Sequence, residues 1–345
     1  MKAGEEMHRE GWIDACRFFA IFVIMATHFL AMFQPEALAL WEKMPSRLVL
    51  GGLTGKFSVA FFFVLLGYFA GRPRKFTTGG FARYALRRYG QFSFFVFVST
   101  LCFLIGSYGL TWLLHTPDEN VFRVLSDGFR YNLIYLLRDS FLLEDNYNAT
   151  LWCMRQLFAA SLLGWLLGCV PEKKARLPVS AAVWALSPLL GRNWVWLGAG
   201  AAGVVLRCIR EDEILFSKLS KPGITVLLLL AALACIKAPL AEGTALYALQ
   251  GLGAFLLILA QFSLPGVQRT LTSRPFPWLG RVSMGLFVVH TPVNCLLASS
   301  LWPMLAGLPQ TAALLLTFVV SISLSISAAV FLHRSYSMTQ KSFKA

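Results

Sequence analysis

Charge is scarce in this sequence, and acidic charge is scarcest. Only 14% of the 345 residues are charged, and 17 acidic residues face 31 basic ones. An ordinary soluble domain carries about 25% charged residues, so this chain cannot clothe a water-soluble surface of its size. Cysteine is present seven times, as Cys16, Cys102, Cys153, Cys169, Cys208, Cys235 and Cys295, each in an apolar run. There is no CxxC pair and no His/Cys cluster, so neither a zinc site nor a disulfide framework is indicated and no resident cofactor is expected; the cysteines read as small core residues. Low-complexity tracts and repeats are lacking too, and no separate soluble domain is set off by a linker.

What the sequence does have is apolar length. Hydrophobic residues make up 57% of it, gathered in runs near the ~20 residues that a helix needs to cross a bilayer. Ten such spans are expected, at 12–33, 53–71, 90–114, 151–170, 177–190, 194–206, 222–238, 243–264, 282–302 and 310–332. The expected fold is an all-α, polytopic integral membrane protein forming one domain over 1–345. The fifth and sixth spans are short and separated only by Gly191-Arg192-Asn193, as a tight hairpin or a re-entrant pair. The stretch 129–143 reads as an interfacial helix on the outer leaflet. The first run follows Lys2 and Arg9, lacks a small-residue cleavage site and carries charge within it, so it is expected to be retained as a span.

The net charge of +14 would suggest nucleic acid in a soluble protein, but here the charges lie between apolar runs. With the N-terminus inside, 21 of the 31 Lys and Arg fall in inner segments and eight in or beside outer ones. That asymmetry predicts an N-in/C-in, multi-pass protein of the cell (plasma) membrane, with membrane lipids and not nucleic acid as its surroundings.

Ionisable side chains inside spans are costly and mark function by default. The first span reads WIDACRFFAIFVIMATHFL. Arg17 and His28 are eleven residues apart, which at 100° per residue places them within roughly 20° of one face and roughly 16 Å apart along it. Asp14 shares that face. Asp14 and Arg17 alone would also suit an anchor at the inner interface, with Arg17 snorkelling; His28 lies too deep for that. In RVSMGLFVVHTPV, Ser283 and His290 are seven apart and share a face. A lone His on an apolar face is usually a hydrogen-bonded core residue, so His290 is open between packing and chemistry. Arg155, beside Trp152 and Gln156, suits an ion pair, an anion or snorkelling at the outer interface. The segment FFFVLLGYFAGRPRK together with Arg83, Arg87 and Arg88 forms the densest cationic patch of the chain. Topogenic charge explains such a patch, and so does a phosphate-binding mouth.

These pieces together resemble the acyltransferase-3 family of integral-membrane acyltransferases. The matching pieces are IDACRFFAIFVIMATH with Arg17 and His28, FFFVLLGY from Phe61 to Tyr68, the basic stretch with Arg83 and Arg87, Leu151-Trp152 opening a span, and Ser283 to His290 followed by Pro292. Their order and spacing match along most of the chain. Leu66 stands where the family usually has Ser, and Gln91 where Pro is common; the extra C-terminal extracytoplasmic domain of some members is absent. The resemblance implies a ten-span fold and an acyl-CoA co-substrate, acetyl-CoA foremost, entering from the cytoplasm. It implies an acceptor that is often a sugar hydroxyl of an envelope glycan or lipid. It also implies that His28 is catalytic and that Arg17 helps organise the donor.

Acyl transfer to a hydroxyl needs a base whose ordinary pKa lies near neutrality, and His is the side chain that has one. His28 is expected either to deprotonate the acceptor or to carry the acyl group transiently. His290 would orient the acceptor or help hold the oxyanion. Arg17, Arg83 and Arg87 would hold the donor's phosphates or pantetheine arm, with Arg72 and Arg88 as further candidates. Asp14, Tyr68, Trp152, Arg155 and Ser283 complete the expected substrate-binding set. A transporter or flippase would also use buried Arg and His, but it predicts paired intramembrane carboxylates or broken inverted repeats, and Asp14 is the one clear intramembrane acid. A lipid scaffold explains the basic loops and not the Arg17–His28 stripe.

Overall fold

A backbone without water to bond must bond to itself, and a single apolar segment does so only as a helix. The computed structural model describes residues 11–33, 55–114, 128–142, 144, 151–238 and 240–342, which contain helices and no strand. The expected segments at 1–10, 34–54, 115–127 and 145–150 lie outside the described residues.

The helices are α1 (Gly11–Phe33), α2 (Gly55–Ala70), α3 (Thr78–Leu114), α4 (Gly128–Ser140), α5 (Trp152–Gly168), α6 (Lys173–Leu186), α7 (Arg192–Glu211), α8 (Glu213–Leu219), α9 (Pro222–Ile236), α10 (Thr244–Gln261), α11 (Pro265–Thr272), α12 (Phe276–Arg281), α13 (Ser283–Ser299), α14 (Leu301–Met304) and α15 (Gln310–Ser342). Each expected span coincides with one of them. Five stretches are long and apolar enough to cross a membrane: α1, α3, α10, α13 with α14, and α15; the α8–α9 pair, bent by 75°, makes a sixth if counted as one. The remainder fall short for physical reasons. At 16, 17 and 14 residues, α2, α5 and α6 are shorter than the ~20 residues a perpendicular crossing takes.

Helix α7 is long enough but carries small and polar residues, because it sits at the centre of the bundle. Thirteen of its 20 residues are buried. It reads LGAGAAG along its middle, and those residues let α2 approach to backbone contact. A methyl group on Gly67 would lie 1.8 Å from the Gly200 carbonyl oxygen, and one on Gly203 would lie 2.0 Å from that of Val64. Small residues at a crossing are how helices pack closely in lipid. By contrast α9 buries only Thr225 and Ala232 and forms the bundle's outer surface.

Helices α6 and α7 form an antiparallel hairpin. A 3-10 turn (Ser187–Leu190) ends at Gly191, whose φ of +108° suits a residue without a Cβ. At the far ends Lys173 Nζ donates to the Glu211 carbonyl at 2.8 Å.

One boundary is corrected. The third expected span, 90–114, begins earlier, at Thr78, so that Arg83, Arg87 and Arg88 lie on α3 and not in a connection; the helix is opened by the Thr77 hydroxyl, which accepts from the Gly80 N–H at 3.1 Å. At 37 residues α3 is about 55 Å long, which exceeds the ~30 Å hydrocarbon core, so its basic end projects on a rigid rod. Helix α4 is present where the interfacial helix was expected. It buries Asn132, Leu136, Asp139 and Ser140 and exposes Arg130, Tyr131, Leu133, Ile134, Leu137, Arg138 and the following Phe141. Asn132 Nδ2 donates to the Tyr108 hydroxyl at 2.8 Å, Leu136 packs on Phe103 and Leu104, and the Tyr89 hydroxyl donates to the Phe141 carbonyl at 3.1 Å. These contacts run α4 antiparallel to α3, back along the bundle. Its buried polar groups meet protein, while arginines share the exposed face with aromatic and aliphatic side chains, a mixture suited to an interface.

Candidate functional site

A cavity of about 670 Å³ enters the bundle from the end where the projecting part of α3 carries its arginines. Its mouth is cationic. Arg17, Arg72, Arg87, Arg88, Arg207 and Arg281 line it, and Asp14 is the single acidic residue on its wall. Asp14 is held there by packing: its backbone lies against Gly280, where a methyl group would come within 1.8 Å of the Asp14 carbonyl oxygen. Its buried carboxylate faces Arg17, Oδ1 to Nη1 at 3.5 Å, while the guanidinium remains 29% exposed. Arg207 is fixed on two sides, by Glu211 Oε1 at 2.5 Å from its Nε and by the Tyr68 ring 5.3 Å below its guanidinium. Arg88 donates to Gln91 Oε1 at 3.1 Å and to the Tyr84 hydroxyl at 3.3 Å. These contacts orient planar guanidinium groups around one opening, an arrangement suited to phosphate or carboxylate oxygens.

Arg74, in the same basic stretch, has another task. It donates to the Ala70 and Arg72 carbonyls at 2.8 and 3.0 Å and lies over Trp165 at 5.4 Å. Burial lowers its pKa from the ordinary guanidinium value; it joins the end of α2 to α5 and does not line the cavity.

Inward the cavity turns apolar, between Val59, Phe62, Phe92, Phe95, Leu157 and Phe287. Just beyond this end stand the two imidazoles. The rings of His28 on α1 and His290 on α13 have centroids 5.3 Å apart, inclined at 54°. His290 is fully buried. Its Nδ1 lies 3.2 Å from the Leu286 carbonyl and its Nε2 3.2 Å from the Thr291 hydroxyl. A carbonyl only accepts, so the first contact assigns the proton to Nδ1 and leaves Nε2 to accept from Thr291.

The cavity wall thus gathers Asp14, Arg17, Tyr68, Arg72, Arg87 and Ser283 of the expected set, and His28 and His290 stand together beyond its inner end. Three expected residues lie elsewhere. Arg83 and Arg155 are exposed and do not line the cavity; on α5 the cavity is met by Cys153 and Leu157, and the turn between them carries Arg155 away. Trp152 stacks on Trp196 at 5.5 Å. Sequence reasoning missed Arg207, Arg281, His333 and Tyr336, all on the wall. Arg207 did carry a signal, the Glu four residues on; Arg281 was read only as loop charge.

The chain matches the family model described as an acyltransferase domain over residues 10–332. No curated protein and no solved structure matches it. A helical membrane bundle holding a cationic cavity beside two imidazoles, matched to that model over nearly its whole length, belongs to the acyltransferase-3 family of integral-membrane acyltransferases.

Proposed function

We propose that the protein moves an acyl group, acetyl foremost, from cytoplasmic acyl-CoA to a hydroxyl of an envelope glycan, lipid or other extracytoplasmic acceptor in the plasma membrane. The observation that carries this reading is the alignment of a six-arginine mouth with an apolar passage that ends beside the His28–His290 pair. In this reading the ten helical segments cross N-in/C-in, which puts the arginine mouth in the cytoplasm, as the excess of basic residues on that side favours. The donor's phosphates bind at the mouth, its pantetheine arm lies along the aromatic passage, and the thioester carbon reaches the imidazoles.

The step balances without a further reactant. His28 takes the proton of the acceptor hydroxyl as its oxygen bonds to the thioester carbonyl carbon. The C–S bond then breaks, and the proton passes to the departing thiolate. His290, held by the Leu286 carbonyl and the Thr291 hydroxyl, orients the acceptor; with its one proton given to Leu286 it has none to offer an oxyanion. The variant path has His28 take the acyl group first and pass it to the hydroxyl.

The test uses the purified full chain in nanodiscs with radiolabelled acetyl-CoA and extracted envelope material as acceptor. Replacing His28→Ala is expected to reduce label transfer by roughly 10²- to 10⁴-fold while acetyl-CoA still binds. Equal turnover and labelling in wild type and variant would remove His28 from the mechanism, and failure to bind any CoA thioester would remove the donor.

A further inference from the structure

Arginine reaches the cavity wall from α1, α3, α7, α12 and the residues just after α2, but the end of α15 contributes His333, Tyr336 and Ser337 instead. Arg334, among them in sequence, is exposed and does not line the cavity. All three wall residues lie past residue 332, where the match to the family model ends, so that likeness assigns them no role. Packing holds this sector in place. Ala329 closes on α13, where a methyl group at Gly285 would meet its Cα at 2.9 Å. Tyr336, seven residues on and so on nearly the same face, packs its ring against Phe94 and Phe95 of α3. The centroids are 5.3 and 5.5 Å apart and the rings are tilted by 47° and 45°. Beside it on the wall, Gln91 Oε1 accepts from Arg88 at 3.1 Å, which leaves the amide nitrogen as its donor end. The Ser337 hydroxyl donates to the His333 carbonyl at 2.8 Å, which leaves its lone pairs to accept.

We propose that this end of α15 is the subsite for the purine base of the donor's nucleotide, with Tyr336 as its stacking platform. This rests on the acyl-CoA reading above and deepens it by assigning the one part of the donor that reading leaves unplaced. Phosphate oxygens call for guanidinium groups. A neutral heteroaromatic base calls for a ring to stack on and uncharged donors and acceptors at its edge, which Tyr336, Gln91 and Ser337 supply. Tyr68, the other tyrosine on the wall, already carries the Arg207 guanidinium 5.3 Å from its ring centroid. The depth fits too. Ser99 donates to the Val288 carbonyl at 2.7 Å and Gly106 lies against Leu296, so α3 and α13 run parallel. Phe94 and Phe95, about a turn before Ser99, are thus level with the start of α13, next to Arg281. Gly280 pressing on Asp14 brings the charged turn of α1 to the same depth. His28 lies roughly 16 Å along α1 from Arg17, and a pantetheine arm reaches about as far as four extended residues, roughly 14 Å. A thioester at the imidazoles therefore leaves the pyrophosphate near Arg17 and the adenosine joined to it within the mouth, at the level of Tyr336.

The experiment compares two donors on the full chain in nanodiscs, acetyl-CoA and the acetyl thioester of phosphopantetheine, which lacks the adenosine. Their kcat/KM ratio is measured in wild type, Tyr336→Ala, Tyr336→Leu and Tyr336→Phe. Wild type should prefer acetyl-CoA. That preference should fall roughly 5- to 150-fold in Tyr336→Ala and Tyr336→Leu, the worth of one base–ring stack, and stay close to wild type in Tyr336→Phe, which keeps the ring. Adenosine bisphosphate should inhibit wild type and lose potency in Tyr336→Leu by a similar factor, whereas inorganic pyrophosphate should inhibit both alike. Each ratio is internal to one preparation, so a variant that folds poorly still reports it, and Tyr336→Leu keeps apolar bulk against Phe94 and Phe95 should the alanine fail to fold. An unchanged ratio in Tyr336→Leu, with both donors slowed alike or neither slowed, overturns the base subsite. A wild type that uses both donors equally well also overturns it, while leaving the thioester reading standing. A wild type inert toward both overturns the two readings together.

Discussion

The close contact of α2 with α7 fixes the position of α2, which carries part of the cavity wall, and Gly67→Ala tests it. A methyl group there would meet the Gly200 carbonyl oxygen at 1.8 Å and its carbon at 2.7 Å. Ordinary contact begins near 3.5 Å, so the two backbones must part by about 1.7 Å or the helices must rotate. Overpacking of a tight core costs about 1–3 kcal/mol, and a gap of that order forfeits much of the dispersion energy along the crossing. We therefore expect a loss of about 3 kcal/mol, which for a chain of this size lowers the melting temperature by roughly 4 °C. Activity falls as well, because α2 carries Phe62, Tyr68 and Arg72 on the cavity wall and a displacement of about 1 Å can cost 10²-fold in rate. The assays are size-exclusion chromatography after heating in detergent and the initial rate of label transfer. The control is Gly109→Ala on α3, where a methyl group has no neighbour within 4 Å and helix propensity should make it neutral or stabilising by up to about 1 kcal/mol. A Gly67→Ala variant that melts within about 1 °C of wild type and transfers acyl groups normally would refute the close crossing.

Four further outcomes are expected. Arg17→Gln should raise the KM for acetyl-CoA by roughly 10- to 100-fold, the worth of a charge-assisted hydrogen bond, whereas Arg155→Gln, on the exposed face of α5, should change it far less. Acetyl-pantetheine, which lacks the nucleotide, should lose kcat as well as affinity, because binding energy at the mouth is used to hold the thioester against the imidazoles; equal kcat at saturation would contradict this. Asn294→Ala should cost about 1–3 kcal/mol by stranding the buried Ser321 hydroxyl, which donates to Asn294 Oδ1 at 2.5 Å, and additional Ser321→Ala should recover part of it in a double-mutant cycle. Glu242, outside the spans, bonds Lys56 at 2.7 Å and the Tyr247 hydroxyl at 2.5 Å, and these bonds hold its pKa below the usual carboxylate value. Its contribution, at most about 1 kcal/mol for so exposed a pair, is present above the unfolded-state pKa and lost as pH falls through the folded one. Glu242→Gln should therefore lower the melting temperature at pH 7 and match wild type once the pH has fallen below the folded-state pKa, and an equal deficit at both would exclude the linkage.

Much of this was legible in the sequence where one helix fixes the geometry by itself. Rotation of 100° per residue places Asp14 and Arg17 on a common stripe of α1, and Ser283 in phase with His290 on α13; the structure puts the first three on the cavity wall and pairs the two histidines. Helix boundaries were readable where apolar runs end in charge. Apolar length alone does not mark α7, expected as a span at 194–206, as the bundle's centre: that depends on neighbouring helices packing against its glycines and alanines. The existence of α4 is legible in its mixed run of apolar and charged residues, but its partners are not: that Asn132 meets Tyr108 and Leu136 meets Phe103 depends on how α4 folds back on α3.

The arginines mark the deeper boundary of what a linear pattern can give. Counting them by segment predicts a sidedness, but it treats Arg83, Arg87, Arg207 and Arg281 as equivalent charges. Their difference arises from helices distant in sequence. Arg87 lies one turn beyond Arg83 on α3 and reaches the wall. Arg207 is aimed inward because Glu211 grips its Nε and Tyr68, on another helix, lies under its guanidinium. Arg281 ends the short helix that Gly280 presses against Asp14. Each of these depends on a contact between separate elements, and the close glycine crossings supply those contacts. The mouth is therefore a product of packing as much as of composition. Substituting a glycine far from any charge should weaken anion binding, while removing a topogenic arginine such as Arg83 should leave it nearly intact.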